Sequence, residues 1–277
     1  MPGMSLPRWG VLVLGLVLLT VVLCVPRTAP PHKAPAPVTD AVKGWRKIHV
    51  FVALCDNVHQ GIVPVPAAIG NGQDPARNLY WGCGSGVKTY FTRSAAWRRL
   101  AVVPHPKPHV LERLIFQHAT QHVYLVADAY DGAAIQDAMR ATLTAASGAA
   151  PEAVLIAGHH FAFAGGADVV AYIGHNGLMD AALPMTFAPH KGAEKPVILL
   201  ACASSQYFGD YLHAAHAYPL LWTTNLMCPE AYTLHDALTG WIAHEKPAQI
   251  QARAAQAYSA HQQCSVRAAT RLLKTGW

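Results

Sequence analysis

Two short apolar runs constrain the fold of this chain more than any other feature. The first, Asp-Val-Val-Ala-Tyr-Ile-Gly, spans residues 168–174, and the second, Pro-Val-Ile-Leu-Leu-Ala, spans residues 196–201. Short β-rich runs bounded by Asp, Gly or Pro are typical of buried strands in a parallel sheet. The carboxyl ends of neighbouring parallel strands open onto one crevice, so the residues that follow the two runs are expected to meet there. Those residues are His175 and Cys202.

The chemistry of this pair indicates a nucleophile and its base. A thiol is mostly protonated near neutral pH, but an imidazole within hydrogen-bond reach can accept its proton and later donate it to a leaving group. For either run alone, a core cysteine or an unrelated loop histidine is the simpler interpretation. Two matching runs in sequence favour a catalytic pair.

The residues around the pair resemble a known group of enzymes. Tyr-Ile-Gly-His-Asn-Gly at residues 172–177 and Ile-Leu-Leu-Ala-Cys-Ala-Ser-Ser at residues 198–205 are similar to the two catalytic blocks of the caspase-like (clan CD) cysteine peptidases, the group of caspases, legumain, gingipains and separase. The close resemblance covers residues 153–224. That group usually has glycine directly after the histidine, whereas this chain has Asn176 and then Gly177.

The resemblance implies a fold, an activity and roles for residues. The fold is an α/β three-layer caspase-like sandwich with a mostly parallel central sheet. The activity is cleavage of peptide bonds through a thioester, with Cys202 as nucleophile and His175 as base and then acid. Backbone N–H groups at Asn176 and Gly177 would hold the oxyanion. The partner is a peptide or protein substrate, with selectivity for the residue before the cut, and no cofactor or metal is implied.

Other segments complete an alternation of strands and helices. Residues 48–54 are predicted to form the first core strand, which neighbours the third in the strand order 2-1-3-4-5. The polar loop after it could therefore border the crevice, and we consider Asp56, Asn57, His59 and Gln60 as substrate contacts or as ordinary turn residues. Further strands are predicted at residues 121–127, 153–157 and 219–224. Helices are predicted at residues 133–146, 206–216, 230–244 and 248–273.

Two glycine-rich segments are predicted to form loops or extended chain. Residues 82–89, Gly-Cys-Gly-Ser-Gly-Val-Lys-Thr, come close to a phosphate-binding P-loop. Val87 stands where that motif needs glycine, and the following Lys-Thr-Tyr-Phe favours a strand instead of a helix, which argues against nucleotide binding. Residues 158–166 are predicted to form a loop in which His159 or His160 could line the site.

The N-terminus has the layout of a secretory signal or a signal anchor. Residues 9–25 are apolar apart from Thr20 and follow Arg8. We predict a signal segment at residues 1–26, a Pro/Ala-rich linker at 27–44 and the α/β domain at 45–277. Export to a periplasmic or extracellular location, with possible membrane anchoring, is the first interpretation. Cationic residues after the segment favour the alternative, a domain facing the cytoplasm.

Cysteine content, charge and histidine content bound the remaining alternatives. Outside the signal segment and the nucleophile, four cysteines could form two disulfides after export; they are Cys55, Cys83, Cys228 and Cys264. The net charge of +6 is scattered without interleaved aromatic residues, so nucleic-acid binding is not expected. The sequence also permits a catalytically inactive membrane-tethered module, or a His-rich metal-binding protein using His213 and His216. It leaves the oligomeric state open.

Overall fold

The computed structural model describes Gly3, residues 38–187 and residues 193–277. Within these residues the chain forms ten strands and seven α-helices, often in groups of several strands or several helices in a row. The strands are β1 (Arg46–Ala53), β2 (Trp97–Lys107), β3 (Val110–His118), β4 (Val123–Tyr130), β5 (Pro151–Ile156), β6 (His159–Ala164), β7 (Val169–Ile173), β8 (Lys195–Leu200), β9 (Ala217–Thr223) and β10 (Leu273–Lys274). The α-helices are α1 (Val87–Arg93), α2 (Ile135–Ala146), α3 (Ser204–Tyr207), α4 (Gly209–Ala214), α5 (Ala231–Ile242), α6 (Pro247–Gln262) and α7 (Val266–Leu272).

Eight of these strands form one sheet, in the order β10-β9-β8-β7-β1-β4-β3-β2. The five central strands, from β9 to β4, pair in parallel, and β10, β3 and β2 are added antiparallel at the two sides. Taken in chain order, the parallel strands β1, β4, β7, β8 and β9 stand in the arrangement 2-1-3-4-5, so the first pairs with the third. The predicted α/β class with a mostly parallel central sheet is confirmed.

Strand β1 shows why helices pack on both faces of the sheet. Successive side chains of a strand point to opposite faces. Val50 and Val52 belong to one apolar cluster, which they share with residues of α1, α5, α6 and α7. Phe51 and Ala53 belong to a second cluster, shared with α2 and α4. A strand buried on both faces is mostly apolar, which explains the run in the sequence that only His49 interrupts.

A network of ion pairs fastens the β5–β6 hairpin to the sheet. Arg113 on β3 donates two hydrogen bonds to Asp128 on β4, from Nε to Oδ1 at 2.6 Å and from Nη2 to Oδ2 at 2.8 Å. Its Nη1 donates to Oε1 of Glu152 on β5 at 2.5 Å. Lys107 Nζ lies 3.1 Å from Asp128 Oδ2 and 2.8 Å from Glu152 Oε2. Two cations and two carboxylates therefore neutralise one another beneath the hairpin.

His49 completes this network from β1. The backbone N–H of Ala164 donates to His49 Nδ1 at 2.9 Å, so that nitrogen is an acceptor and the proton is on Nε2. Nε2 lies 3.2 Å from Asp128 Oδ2 and donates to it. Burial is the largest effect on His49 and lowers its pKa, which keeps the imidazole neutral.

Helix α1 replaces the predicted extended segment at residues 88–91, and that prediction is wrong. Val87 and Phe91, four residues apart, are both fully buried in the core, so a helix places their side chains on one face. Lys88 Nζ pairs with both carboxylate oxygens of Glu112, at 2.8 and 2.9 Å. Thr89 Oγ1 donates to the carbonyl of Gly82 at 2.6 Å. Packing thus overrides β propensity, and the P-loop-like lysine and threonine are already occupied by protein groups.

Two further segments differ from their predicted structure. Residues 158–166, predicted to be a loop, contain β6, which pairs with β5 in a separate antiparallel hairpin. The turn is made by Ala157 and Gly158, both at positive φ. The predicted helix over residues 248–273 is broken, because Gln263 adopts φ 51° between α6 and α7. His159 and His160 lie at the exposed end of the hairpin.

The predicted signal segment, including the apolar residues 9–25, lies outside the described residues. Of the predicted linker, residues 38–44 are described, and the Ala41 N–H donates to the carbonyl of His160 at 2.9 Å. Among the helices that the structure describes, none is both long and apolar enough to cross a membrane.

Candidate functional site

His175 and Cys202 occupy equivalent positions after two paired strands. Ile173 and Leu200, the last residues of β7 and β8, are partners in the parallel register. His175 and Cys202 each follow two residues later, at the carboxyl edge of the sheet. Gly174 bridges the strands, since its N–H donates to the carbonyl of Leu200 at 3.3 Å. The equal offsets bring the two loops to the same place.

Both side chains line one cleft of about 520 Å³. The loops that carry them are joined directly, because Asn176 Nδ2 donates to the carbonyl of Cys202 at 2.7 Å. Apolar side chains form most of the remaining wall; they are Ile62, Val63, Val65, Leu79, Tyr80, Met179, Leu226, Met227 and Pro229. A half-open cleft with apolar walls and few polar groups is typical of a site for a small molecule or a peptide segment.

The Cys202 sulfur contacts the loop between β9 and α5. The Met227 N–H lies 3.4 Å from Sγ and donates to it, and the thiol can donate to the Met227 carbonyl at 3.5 Å. Cys202 is partly exposed and lines the cleft. The backbone of Met227 therefore fixes the position of the sulfur in the cleft.

A strained turn presents Cys202 to the cleft. Ala203 has φ 48°, a left-handed conformation that is unfavourable for a residue with a Cβ. The turn is held by Ser204, whose Oγ donates to the Leu199 carbonyl at 3.0 Å and accepts from the Thr223 N–H at 2.9 Å. Strained backbone held by surrounding hydrogen bonds is common at functional sites.

Asp180 orients His175, and the sequence analysis did not identify it. His175 Nε2 lies 2.7 Å from Asp180 Oδ2, and the Gly61 N–H approaches the same oxygen at 3.3 Å. Tyr172 fixes the backbone beneath, since its hydroxyl donates to the His175 carbonyl at 2.8 Å. A carboxylate accepts from Nε2–H, which leaves Nδ1 of the neutral imidazole as the basic nitrogen. The imidazole side chain is only 6% exposed.

Asn176 and Gly177, the predicted oxyanion donors, are both buried and do not line the cleft. Besides binding Cys202, the Asn176 side chain accepts from the Leu178 N–H at 3.1 Å and so shapes the turn. Gly177 faces α2, where an added Cβ would lie 2.8 Å from Cε of Met139. A Cβ at position 177 would therefore need the end of the Met139 side chain to move.

The polar loop after β1 borders the cleft, but it does so through its later residues and not through Asp56 and Asn57. Asp56 is buried and accepts from the N–H groups of Val58 and His59. Asn57 exchanges two hydrogen bonds with the backbone of Val65. Both line a separate depression of about 280 Å³, whereas Gly61, Ile62, Val63 and Val65 line the cleft. Asp56 and Asn57 thus shape the loop, and their neighbours contact the cleft.

All five cysteines that the structure describes are free thiols: Cys55, Cys83, Cys202, Cys228 and Cys264. Burial raises the pKa of the Cys55 thiol to about 11. Partial burial of the thiol also raises the pKa of Cys228, although the residue as a whole is exposed in the cleft that Cys202 lines, and Glu230 adds to that effect. Cys55 and Cys228 are therefore less reactive than a free cysteine.

Metal ligands do not cluster in the part of the chain that the structure describes: it contains no group of three His, Cys, Asp or Glu side chains arranged to hold an ion. His213, one of the two histidines considered as ligands, stacks on Trp277 with ring centroids 3.5 Å apart.

No protein-family model, no curated protein and no solved structure matches this chain.

Proposed function

We propose that this chain is a cysteine peptidase with a caspase-like fold. The observation that carries the proposal is the equal placement of His175 and Cys202 after paired parallel strands, with both side chains on one cleft. Asp180 adds an orienting carboxylate at 2.7 Å from His175. The strand order 2-1-3-4-5 and the helices on both sheet faces are compatible with the fold that the resemblance implies.

The proposed reaction has two halves. In the first, His175 Nδ1 takes the proton of the Cys202 thiol while sulfur attacks the carbonyl carbon of the substrate. The C–N bond then breaks, His175 gives that proton to the leaving amine, and a thioester remains. In the second half, water attacks the thioester and gives its proton to His175. The C–S bond breaks, the acid product leaves and the proton returns to sulfur.

Asp180 supports both halves without exchanging a proton itself. Its carboxylate holds the imidazole in one orientation and stabilises the imidazolium that forms in each half-reaction. Because His175 is almost fully buried, the charge that develops there is poorly solvated by water, and a neighbouring carboxylate compensates for that loss.

Placement is a second part of the proposal. We propose that the apolar residues 9–25 direct the domain across a membrane and that the domain acts in a periplasmic or extracellular location. A domain anchored on the cytoplasmic side is the alternative.

The experiment that tests the activity uses the full chain on a peptide library. Cleavage is expected with the wild type, and Cys202→Ala or His175→Ala should each reduce turnover at least about a hundredfold, as loss of a nucleophile or general base does. Cys83→Ser is the matched control, because it removes a thiol outside the cleft and should leave turnover unchanged. Full turnover in either catalytic variant would overturn the assignment. A folded wild type that cleaves no peptide would favour the inactive-module alternative.

A further inference from the structure

The cleft contains an acidic group that the proposed reaction does not use. Among the described residues that line it, Glu230 is the only carboxylate, and there is no lysine or arginine. The rest of the wall is mostly apolar, although the whole chain carries a net charge of +6. A negative charge is thus placed at the one concave surface that holds the candidate nucleophile.

Hydrogen bonds fix one oxygen of Glu230 and leave the other open. Tyr232 Oη donates to Glu230 Oε2 at 2.9 Å, and Gln262 Nε2 approaches the same oxygen at 3.2 Å. Gln262 Nε2 also donates to Tyr232 Oη at 2.7 Å, and the Tyr232 ring stacks on His261 at 4.0 Å. The carboxylate is therefore held in place. Among the residues that the structure describes, none donates a hydrogen bond to Oε1. None of them places a cation within ion-pair distance of the carboxylate.

A short segment that begins at Met227 connects Glu230 to the Cys202 sulfur. The backbone of Met227 contacts the Cys202 sulfur on both its N–H and its carbonyl. Glu230 follows three residues later, and three residues span at most about 10 Å. A long side chain beside the attacked carbonyl can therefore reach the carboxylate.

We propose that Glu230 binds a basic side chain, arginine or lysine, on the residue that precedes the cleaved bond. This inference rests on the proposed function and names its substrate class. A half-buried carboxylate without a counter-ion gains most from a cation that the ligand brings. The methylene stem of arginine or lysine suits the apolar wall, while its charged end meets Oε1. A neutral residue at this position of the substrate would leave the carboxylate unpaired, and an acidic residue would be repelled by it.

The test compares two peptides that differ only in charge before the cut, one with arginine and one with citrulline. The ratio of their kcat/KM values is expected to favour arginine by at least about tenfold and to fall at least tenfold in Glu230→Gln. Glu230→Asp should keep most of the preference. Asp210→Asn removes an exposed carboxylate outside the cleft and should leave the ratio unchanged. Equal cleavage of both peptides, or a ratio that Glu230→Gln does not alter, overturns the inference while leaving the peptidase proposal intact.

A binding measurement separates the two proposals. Agmatine, which carries the guanidinium and stem of arginine, is titrated by calorimetry into the Cys202→Ala chain and into the same chain with Glu230→Gln. Binding that weakens at least tenfold in the second protein supports the cationic site even if no peptide is cleaved. Absence of binding to the first protein, with folding verified by circular dichroism, contradicts the site whatever the activity.

Discussion

Replacing Asp128 with asparagine should strongly destabilise the domain. Asp128 is fully buried and receives both bonds of the Arg113 fork, at 2.6 and 2.8 Å, together with contacts from His49 and Lys107. Asparagine keeps the shape but removes the charge and turns an NH₂ group towards donors. Arg113 and Lys107 would then share Glu152 alone.

Breaking a buried ion pair from one side costs about 3–5 kcal/mol. For a domain of this size, 1 kcal/mol corresponds to about 2–4 °C, so Asp128→Asn should lower Tm by about 10 °C. Urea unfolding followed by circular dichroism gives the free energy of unfolding directly. Asp74→Asn is the matched control, since Asp74 pairs with Arg77, whose side chain is 71% exposed, and such pairs contribute about 0–1 kcal/mol. A loss below about 1 kcal/mol in Asp128→Asn would refute the network as a stabilising element.

Three further predictions concern His49, Asp180 and residues 9–25. Burial lowers the pKa of His49 in the folded protein, so the unfolded chain binds more protons below about pH 6.5. The free energy of unfolding should therefore fall as the pH drops below that value. In urea titrations at several pH values, His49→Gln should make this dependence on pH weaker. Asp180→Asn should lower kcat about ten- to a hundredfold with little change in KM, because it loosens the orientation of His175, and equal rates would remove Asp180 from the mechanism. A reporter fused to the C-terminus should be active on the exported side of a membrane if residues 9–25 act as proposed, and activity only in the cytoplasm would contradict export.

The apolar runs predicted the central sheet because strands buried on both faces have no solvent-facing positions to interrupt the pattern. The same runs located His175 and Cys202, since the end of such a strand is visible in the sequence. The β2–β3 hairpin was not predicted. Its outer strand lies at the sheet edge and is half exposed, with Pro104 inside it, so its pattern resembles a loop.

The partners of the candidate pair could not be predicted for a different reason. Asp180 reaches His175 through a turn that the Asn176 side chain shapes, and no period in the sequence encodes that turn. Glu230 reaches the cleft because the loop before α5 folds over the Cys202 sulfur. Contacts of this kind depend on how loops pack against one another, which local propensity does not determine.

Alkylation of Cys202 shows whether His175 activates this thiol, and the measurement needs no substrate. At about pH 6.5 an ordinary thiol reacts slowly with iodoacetamide, since its pKa is about 8.5. Cys228 is the internal control, because it is exposed and lines the same cleft. Peptide mass mapping should show Cys202 modified first in the wild type, and His175→Ala should slow that modification at least tenfold without changing the rate at Cys228. If Cys228 is modified before Cys202, or if the Cys202 rate is unchanged in His175→Ala, His175 does not activate the thiol and the catalytic pair is contradicted.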